Sequence, residues 1–433
     1  MIQIINAIPK VMKNTIFILF ILSLIASSCS KKLKTINLTS IEAVDEMAVI
    51  KSDKKEKCNC LDPEAYIPDD RFPEFQDLKY VKVNFHFPNA SNKKYNWTGD
   101  EAVTWAQKLV NACNYQLINN IKMNLPEGNN TPVYDAGYRM ELMEDKSTPS
   151  GMAVYEDVDD ENWYYIKKGK GKNNYSKTII KKFAIDEEHM LNFFAMAYPP
   201  DSLKVKGFSS GRAGIALGTS LKVAGVRKYP MKEVWKFASV SNHEIGHVFG
   251  LRHSWYKNDG CDDTPAHPNC WASTESGKCK GVISNNMMDY NNIQRALSPC
   301  QIGTVMRTMH KENAKVRGLV KKDWCEYNPN KTLVIRKDLE LNRAIDMKGD
   351  IILEKDVTLR LSCRTHMPAG AKIIVKPGAT LVLNGAKIHN DCGQSWGGFD
   401  LQSNGTKKGT IVYLGEVEIE NLPKNPSEES DSE

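Results

Sequence analysis

Long apolar runs and a strong net charge are both missing from this 433-residue chain. The apolar run at residues 16–26 is shorter than the roughly 20 residues that a membrane-spanning helix needs. The formal net charge is only +6, and acidic residues are interspersed among the basic ones, so we expect no nucleic-acid partner. Histidine is scarce at nine residues, yet three of them lie between positions 243 and 253.

The segment 243–253, His-Glu-Ile-Gly-His-Val-Phe-Gly-Leu-Arg-His, has the spacing that a catalytic zinc site requires. On a helix, His243 and His247 lie one turn apart on the same face. Gly250 can adopt the left-handed conformation that ends a helix, and the turn would bring back His253 as a third ligand. Three protein ligands leave one zinc position open for water, and Glu244 would accept a proton from that water.

This long signature resembles that of the metzincin metallopeptidases, which have a methionine-containing turn beneath the metal. Residues 285–290 (Asn-Asn-Met-Met-Asp-Tyr) look like that turn, with Met288 as its methionine. With the run 261–265 (Cys-Asp-Asp-Thr-Pro), the turn is similar to that of the pappalysin family. The resemblance covers roughly residues 76–325. It implies that Tyr290 donates a hydrogen bond to the oxyanion formed during peptide hydrolysis.

The resemblance also implies an α+β catalytic domain over residues 76–328, with a twisted mixed sheet, an active-site helix and a disulfide-stapled lower half. The function it implies is a zinc endopeptidase that acts on proteins or peptides. The alternative is an inert surface adhesion or binding protein that keeps a protease domain as a scaffold. A protease domain that has lost its activity usually lacks the catalytic base or a metal ligand, whereas here Glu244 and all three histidines are present.

Periodic patterns predict the elements of this domain. Alternation predicts a strand at residues 80–87, and an amphipathic stripe predicts a helix at 99–120. Further strands are predicted at 138–143, 161–168 and 191–198, before the helix that carries His243. By the family resemblance, an edge strand borders the cleft and binds substrate by strand addition, with 191–198 or 207–219 as candidates.

The N-terminus predicts export. A basic region precedes the apolar run 16–26, so residues 1–28 are predicted to be a secretory signal peptide. Small residues immediately before Cys29 resemble a bacterial lipoprotein processing site, which implies a lipid on Cys29 and a cell-envelope location at the inner or outer membrane. Ordinary cleavage and secretion is the alternative. Residues 29–75 are predicted to form a polar, flexible tether with a possible pro-segment.

Cysteine usage agrees with export, because ten of the eleven cysteines remain for disulfides if Cys29 carries a lipid. Four of them, Cys261, Cys270, Cys279 and Cys300, lie in the segment directly after the third histidine and allow three pairings. The pappalysin resemblance favours Cys261–Cys279 with Cys270–Cys300. We also expect Cys363–Cys392 as a pair and Cys113 as a buried thiol on the predicted helix at 99–120.

Two further groups of residues have a metal-binding role and a structural role as alternatives. Either Cys58 or Cys60 could occupy the open zinc position and keep the enzyme latent, or one or both could form structural disulfides. Asp262 and Asp263 could bind calcium in the stapled segment, or could serve as caps and turn residues.

A second domain is predicted over residues 329–421. The segment 352–361 recurs at 374–383, an offset of 22 residues, with Thr358, Leu359 and Leu361 matching in identity. Short β-rich runs at such a period predict a small all-β domain, a short parallel β-solenoid, with a small antiparallel β-sandwich as the alternative. The acidic tail at 422–433 is predicted to be disordered. The sequence does not predict an oligomeric state.

Overall fold

The protein is described by a computed structural model, which covers most of the chain between residues 33 and 423. The described ranges are 33–52, 60, 62–72, 78–90, 96–143, 153–158, 164–169, 171–208, 211–226, 231–255, 259–272, 274 and 276–423. The predicted signal peptide, Cys29, Cys58 and most of the acidic tail lie outside them. Among the described residues, no helix is both long and apolar enough to cross a membrane.

The first described segment is not a free tether, contrary to the prediction for residues 29–75. It forms β1 (Lys34–Leu38), α1 (Ile41–Met47) and β2 (Val49–Ser52). β1 pairs antiparallel with residues 399–403, and β2 pairs parallel with residues 412–414, both in the C-terminal domain. The composition of this segment is polar, but it includes a few apolar side chains that cover the end of that domain's core. Val44, for example, is fully buried there.

The domain that contains the three histidines is an α+β unit built on a seven-stranded mixed sheet. Its elements in chain order are β3 (Lys79–Ala90), α2 (Gly99–Ile118), β4 (Tyr138–Leu142), β5 (Ala153–Val158), α3 (Thr178–Phe183), β6 (Leu191–Met196), β7 (Ala213–Ala216), β8 (Ser220–Ala224), α4 (Ala238–Val248), α5 (Pro299–His310) and β9 (Val320–Lys321). In the sheet, β4, β3, β6, β8 and β7 lie side by side, while β5 and β9 pair with β3.

Aromatic side chains fill the space between this sheet and the helices α2 and α4. Phe85 and Phe193 point from neighbouring strands toward Trp105 of α2, with Phe85 and Phe193 ring centroids 4.5 Å apart. Helix α2 begins with a capping box, in which Thr98 and Glu101 satisfy each other's backbone N–H groups. These contacts fix the sheet and α2 as the frame against which α4 packs.

One strand prediction needs correction, and one of the two candidates for the edge strand is selected. Of residues 161–168, only Tyr164 makes a bridge among the described positions, to Ala197, whereas a strand that was not predicted occupies Ala153–Val158. The segment 191–198 contains an interior strand, because β6 lies between β3 and β8. The sheet edge is β7, inside the other candidate segment, 207–219.

The C-terminal domain is a parallel β-solenoid of four coils with three sheets. Its strands are β10 (Leu333–Ile335), β11 (Leu339–Leu341), β12 (Ile345–Asp346), β13 (Ile351–Leu353), β14 (Thr358–Leu361), β15 (Arg364–His366), β16 (Ile373–Val375), β17 (Thr380–Asn384), β18 (Lys387–His389), β19 (Phe399–Ser403), β20 (Thr410–Leu414) and β21 (Glu418–Ile419).

The 22-residue repeat corresponds to one turn of this solenoid. Leu359 pairs with Leu381 and Thr358 with Thr380 on adjacent parallel strands, so matching residues stack. The predicted parallel solenoid is confirmed, and the antiparallel sandwich is wrong. Stacking places identical apolar residues inside the coil, which is why the repeat was readable.

A buried ionic contact and two disulfides join the solenoid to the rest of the chain. The Nζ atom of Lys79 in β3 lies 2.6 Å from a carboxylate oxygen of Asp346 in β12, and Arg364 donates to the same carboxylate at 2.6 Å. Disulfides Cys60–Cys363 and Cys325–Cys392 tie the solenoid to the preceding segments. The predicted Cys363–Cys392 bond is therefore wrong, because each cysteine pairs with one outside the solenoid.

Candidate active site

Helix α4 presents its histidines away from the core. Ala238 and Ile245 are fully buried in the domain core, and they orient the helix so that His243 and His247 share the opposite face. The helix ends at Val248, and Gly250 follows with a φ of 91°. This left-handed residue turns the chain as predicted and returns His253 toward the helix.

Hydrogen bonds define the protonation of two of the rings. The Nδ1 atom of His243 donates to the Met287 carbonyl at 2.7 Å, and Nδ1 of His247 donates to the Leu251 carbonyl at 2.8 Å. A carbonyl can only accept, so in the neutral rings the proton is on Nδ1 and a lone pair is on Nε2. Metal-bound histidines use their second nitrogen in this same way.

The three Nε2 atoms converge. Nε2 of His247 lies 3.1 Å from Nε2 of His243 and 3.1 Å from Nε2 of His253. Burial lowers the pKa of His243 to about 3 and that of His253 to about 4, and it lowers the pKa of His247. The rings are therefore neutral, and facing lone pairs repel each other unless a cation lies between them.

The spacing fits zinc. Tetrahedral Zn²⁺ with Zn–N bonds of about 2.0–2.1 Å requires ligand nitrogens about 3.3 Å apart. The observed 3.1 Å separations are close to that value, and all three ligand atoms lie within 4.8 Å of one another. Only neutral nitrogen donors form this cluster, which suits zinc better than a hard cation such as calcium.

Glu244 lies next to the cluster, between α4 and the edge strand β7. Its side chain is 6% exposed, and its carboxylate accepts a hydrogen bond from the backbone of Ala216. Burial raises the pKa of Glu244 to about 8, and the Ala216 hydrogen bond opposes that rise. The predicted base is thus buried beside the three histidines.

The residues that follow the disulfide-bonded segment pack against α4 and the histidine site. Met288 is fully buried under α4, and a β-carbon on Gly246 would lie 2.6 Å from the Met288 sulfur. Only glycine at 246 allows this approach. Tyr290 is half exposed, with its ring centroid 5.0 Å from that of His253 and 5.7 Å from that of His243. The tyrosine therefore borders the cluster, and its hydrogen bond to an oxyanion stays a prediction.

Asp289 is a supporting residue that the sequence did not reveal. Its Oδ1 atom accepts from the backbone N–H and the hydroxyl of Ser254, at 3.1 Å and 2.6 Å. Burial would raise the pKa of Asp289, but hydrogen bonds from His267, Ser254 and Ser284 lower it overall. Asp289 thereby fixes the loop that carries His253 to the turn that carries Met288.

The stapled segment has a different pairing from the predicted one. The disulfides are Cys261–Cys300 and Cys270–Cys279, not Cys261–Cys279 and Cys270–Cys300. The reason is the start of α5, where the N–H of Cys300 donates to Asp263 at 3.0 Å and brings Cys300 beside Cys261. Asp263 thus accepts a hydrogen bond from the first turn of α5, and calcium binding by Asp262 and Asp263 stays a prediction. Cys113 is the buried free thiol that was expected.

Latency through Cys60 is also contradicted, because Cys60 forms the disulfide with Cys363. A bonded sulfur cannot be a thiolate ligand for the metal. Cys58 and the predicted lipid-bearing Cys29 lie outside the described residues, so their roles stay predictions.

A cleft of about 1280 Å³ opens beside His243 and Glu244. It is bounded by α2, the first turns of α4, the edge strand β7 and the residues that follow Met288. His243, Glu244 and Tyr290 all line the cleft, so it reaches the site that the histidines form.

Comparisons with known proteins find similarity to solved structures at low sequence identity. No family model matches the chain, and no curated protein matches it. Among solved structures, it is similar to mirolysin in complex with compound 9, with 17% sequence identity and a TM-score of 0.37. It is also similar to mature mirolysin of Tannerella forsythia in complex with a cleaved peptide, with 17% identity and a TM-score of 0.34. Each match covers 55% of this chain and 95% of the other. Likeness at this level does not establish a family or an activity.

Proposed function

We propose that this chain is a zinc endopeptidase of the metzincin type, similar to the pappalysins. The observation that carries the proposal is the convergence of three imidazole Nε2 atoms, with that of His247 3.1 Å from each of the other two, beside a buried carboxylate and an open cleft. Three nitrogen ligands leave a vacant position in a tetrahedral set, as catalytic zinc requires.

The chemistry follows from these residues. Zinc, when bound, supplies a water of lowered pKa and polarises the scissile carbonyl. The Glu244 carboxylate accepts a proton from the attacking water and delivers it to the departing amine nitrogen as the C–N bond breaks. The Ala216 N–H orients the carboxylate for this transfer. The Tyr290 hydroxyl donates a hydrogen bond to the developing oxyanion.

The edge strand gives a route for substrate binding. Strand β7 pairs with β8 on one side, and in the described part of the sheet no strand pairs with its other side. An extended peptide can add to that edge through backbone hydrogen bonds, which would place it along α4. A protein or peptide is therefore the substrate class.

We also propose that a lipid on Cys29 anchors the protein in the cell envelope. The support is the run of small residues before Cys29, after the short apolar segment. Substituting Cys29 by alanine should move the protein from the membrane fraction to the soluble fraction. Unchanged fractionation would reject the anchor.

Hydrolysis of casein or gelatin by the zinc-loaded chain tests the activity. We expect cleavage that a chelator abolishes and that zinc restores. Glu244→Gln keeps the shape and polarity of the side chain but cannot accept the proton, so the rate should fall by about a hundredfold or more while zinc stays bound. A scaffold protein without activity would cleave neither substrate, and a Glu244→Gln variant at the wild-type rate would exclude Glu244 as the base.

A further inference from the structure

We infer that this peptidase selects substrates with an aspartate or glutamate beside the scissile bond, and that Arg295 recognises that side chain. The inference rests on the proposed function. It depends on one juxtaposition, a guanidinium on the wall of the cleft that contains His243 and Glu244.

The backbone fixes the position of Arg295. The N–H groups of Arg295 and Ala296 both donate to the Asn285 carbonyl, at 3.0 Å and 2.9 Å, and the Met287 N–H donates to Ala296 at 2.7 Å. The chain after Met288 therefore folds back on the turn beneath the histidines. Arg295 has a defined position relative to the site and is not on a free loop.

The Arg295 guanidinium has an N–H donor that no described residue satisfies. Its Nη2 donates to the Asn119 carbonyl, at the C-terminal end of α2, over a long 3.4 Å. Its Nε is buried and has no hydrogen-bond partner among the described residues. An unpaired buried N–H costs free energy. A substrate carboxylate would satisfy it, and a guanidinium fork binds a carboxylate through two parallel hydrogen bonds.

The charge of the cleft favours the same substrate. Glu244 is the only carboxylate among the described residues that line it, whereas Arg212, Lys236 and Arg295 are cations. Lys236 is paired with Glu233 at 2.7 Å, but no described carboxylate forms a salt bridge with Arg295. An acidic side chain therefore meets an attractive field, and a lysine or arginine side chain meets a like charge.

The wall of the cleft that α2 and α4 form is polar and held by hydrogen bonds. Gln116 of α2 donates to the Ser239 hydroxyl at 3.2 Å and accepts from Asn242 at 3.3 Å. This pair joins α2 to the first turns of α4, so the space between them is set before substrate enters. Pre-set geometry allows one charged anchor to discriminate among side chains.

A peptide pool measures the preference. The zinc-loaded full-length protein is incubated with peptides from a digested proteome, and the new termini are identified by mass spectrometry. At one position beside the cleaved bond, we expect aspartate and glutamate to exceed asparagine and glutamine by about tenfold. Two fluorogenic peptides that differ only by glutamate or glutamine at that position give the same comparison as a ratio of kcat/KM.

Three variants and a control assign the preference to Arg295. Arg295→Gln should remove the preference, so that the ratio of kcat/KM between the glutamate and glutamine peptides falls to about one, and Arg295→Glu should favour lysine and arginine instead. Arg295→Lys keeps the charge but not the fork, so a weaker preference should persist. The control is Arg336→Glu on the exposed surface of the solenoid, which should match the wild type.

The outcomes separate the two proposals. Cleavage by the wild type without an acidic preference, or a preference that survives Arg295→Gln, overturns this inference and leaves the peptidase intact. No cleavage by the wild type, or full cleavage by Glu244→Gln, overturns the proposed function and the inference with it. If a variant does not fold, the profile of the wild type alone decides whether the preference exists.

Discussion

Glu244 packs directly against the backbone of Gly214: a β-carbon at position 214 would lie 2.4 Å from Cγ of Glu244 and 2.8 Å from its Oε1. Ala216 of the same strand donates its backbone N–H to the Glu244 carboxylate. Strand β7 therefore has two roles in the proposed mechanism, because it offers an edge to the substrate and positions the base.

Gly214→Ala should reduce hydrolysis with little effect on zinc. The new methyl group must displace the Glu244 side chain, and a shift of about 1 Å at a reacting group can lower the rate about a hundredfold. The three atoms nearest to the new methyl group all belong to Glu244 and none to a histidine, so zinc content should stay at the wild-type level. Peptide turnover and metal content, measured on the same preparation, check both statements.

The control for this prediction is Ile215→Val. Alternation along a strand points Ile215 to the opposite face of β7, where it packs in a separate apolar cluster. That variant should lose about 1 kcal/mol of stability and retain its activity. Equal losses of activity in the two variants would show that the strand is merely sensitive to any change.

Gly250→Ala should weaken zinc binding. A φ of 91° is strained for alanine by about 1–3 kcal/mol, and the added β-carbon would lie 3.3 Å from the Thr308 hydroxyl. Relief of that strain moves the turn that carries His253, so we expect zinc affinity to fall about tenfold. Competition with a chromogenic chelator measures the affinity.

Gly281→Ala is the matched control for Gly250. Its φ is 74°, and no atom lies within 4 Å of the β-carbon that alanine would add. The backbone strain is comparable, but no zinc ligand adjoins this position. Both variants should lose stability, and only Gly250→Ala should lose zinc affinity. Unchanged affinity in Gly250→Ala would mean that His253 does not depend on that turn.

Lys79→Met should destabilise the junction of the two domains. Burial alone would raise the pKa of Asp346, but His310, Lys79 and Arg364 lower it well below its usual range. Without Lys79, less positive charge offsets the buried negative charge of the Asp346 carboxylate. Breaking a buried ion pair costs about 3–5 kcal/mol of stability. Urea-induced unfolding of the full chain measures the loss.

The comparison variant is Lys204→Met. Lys204 forms a salt bridge of similar length with Asp201, 2.7 Å, but both side chains are exposed. Exposed pairs contribute little because water and salt screen them. If Lys79→Met lost no more stability than Lys204→Met, the buried contact would not join the domains energetically.

Local spacing made the main features of this protein predictable. The interval between His243 and His247 is one helical turn, and Gly250 can supply the reversal that returns His253, so convergence of the rings follows from eleven residues. The 22-residue repeat similarly predicts the solenoid, because parallel coils stack equivalent residues. Both predictions use contacts between residues that are close in sequence or equivalent by repetition.

Long-range contacts were not predictable. Arg295, Asp289 and Gly214 reach the site from elements whose positions depend on the whole domain. The disulfide pairings failed for the same reason, since the start of α5 decides which cysteine meets Cys261. Strands β1 and β2 were missed because their composition is polar, and only the exposed end of the solenoid gives them a partner.

The zinc content of the purified chain tests the central claim most directly. Elemental analysis after zinc loading and gel filtration should give one zinc per chain in the wild type and in Glu244→Gln, and a marked loss in His253→Ala, because two imidazoles bind the ion more weakly than three. A wild-type chain without stoichiometric zinc, or an equal zinc content in His253→Ala, would contradict the assignment of these three histidines as a metal centre.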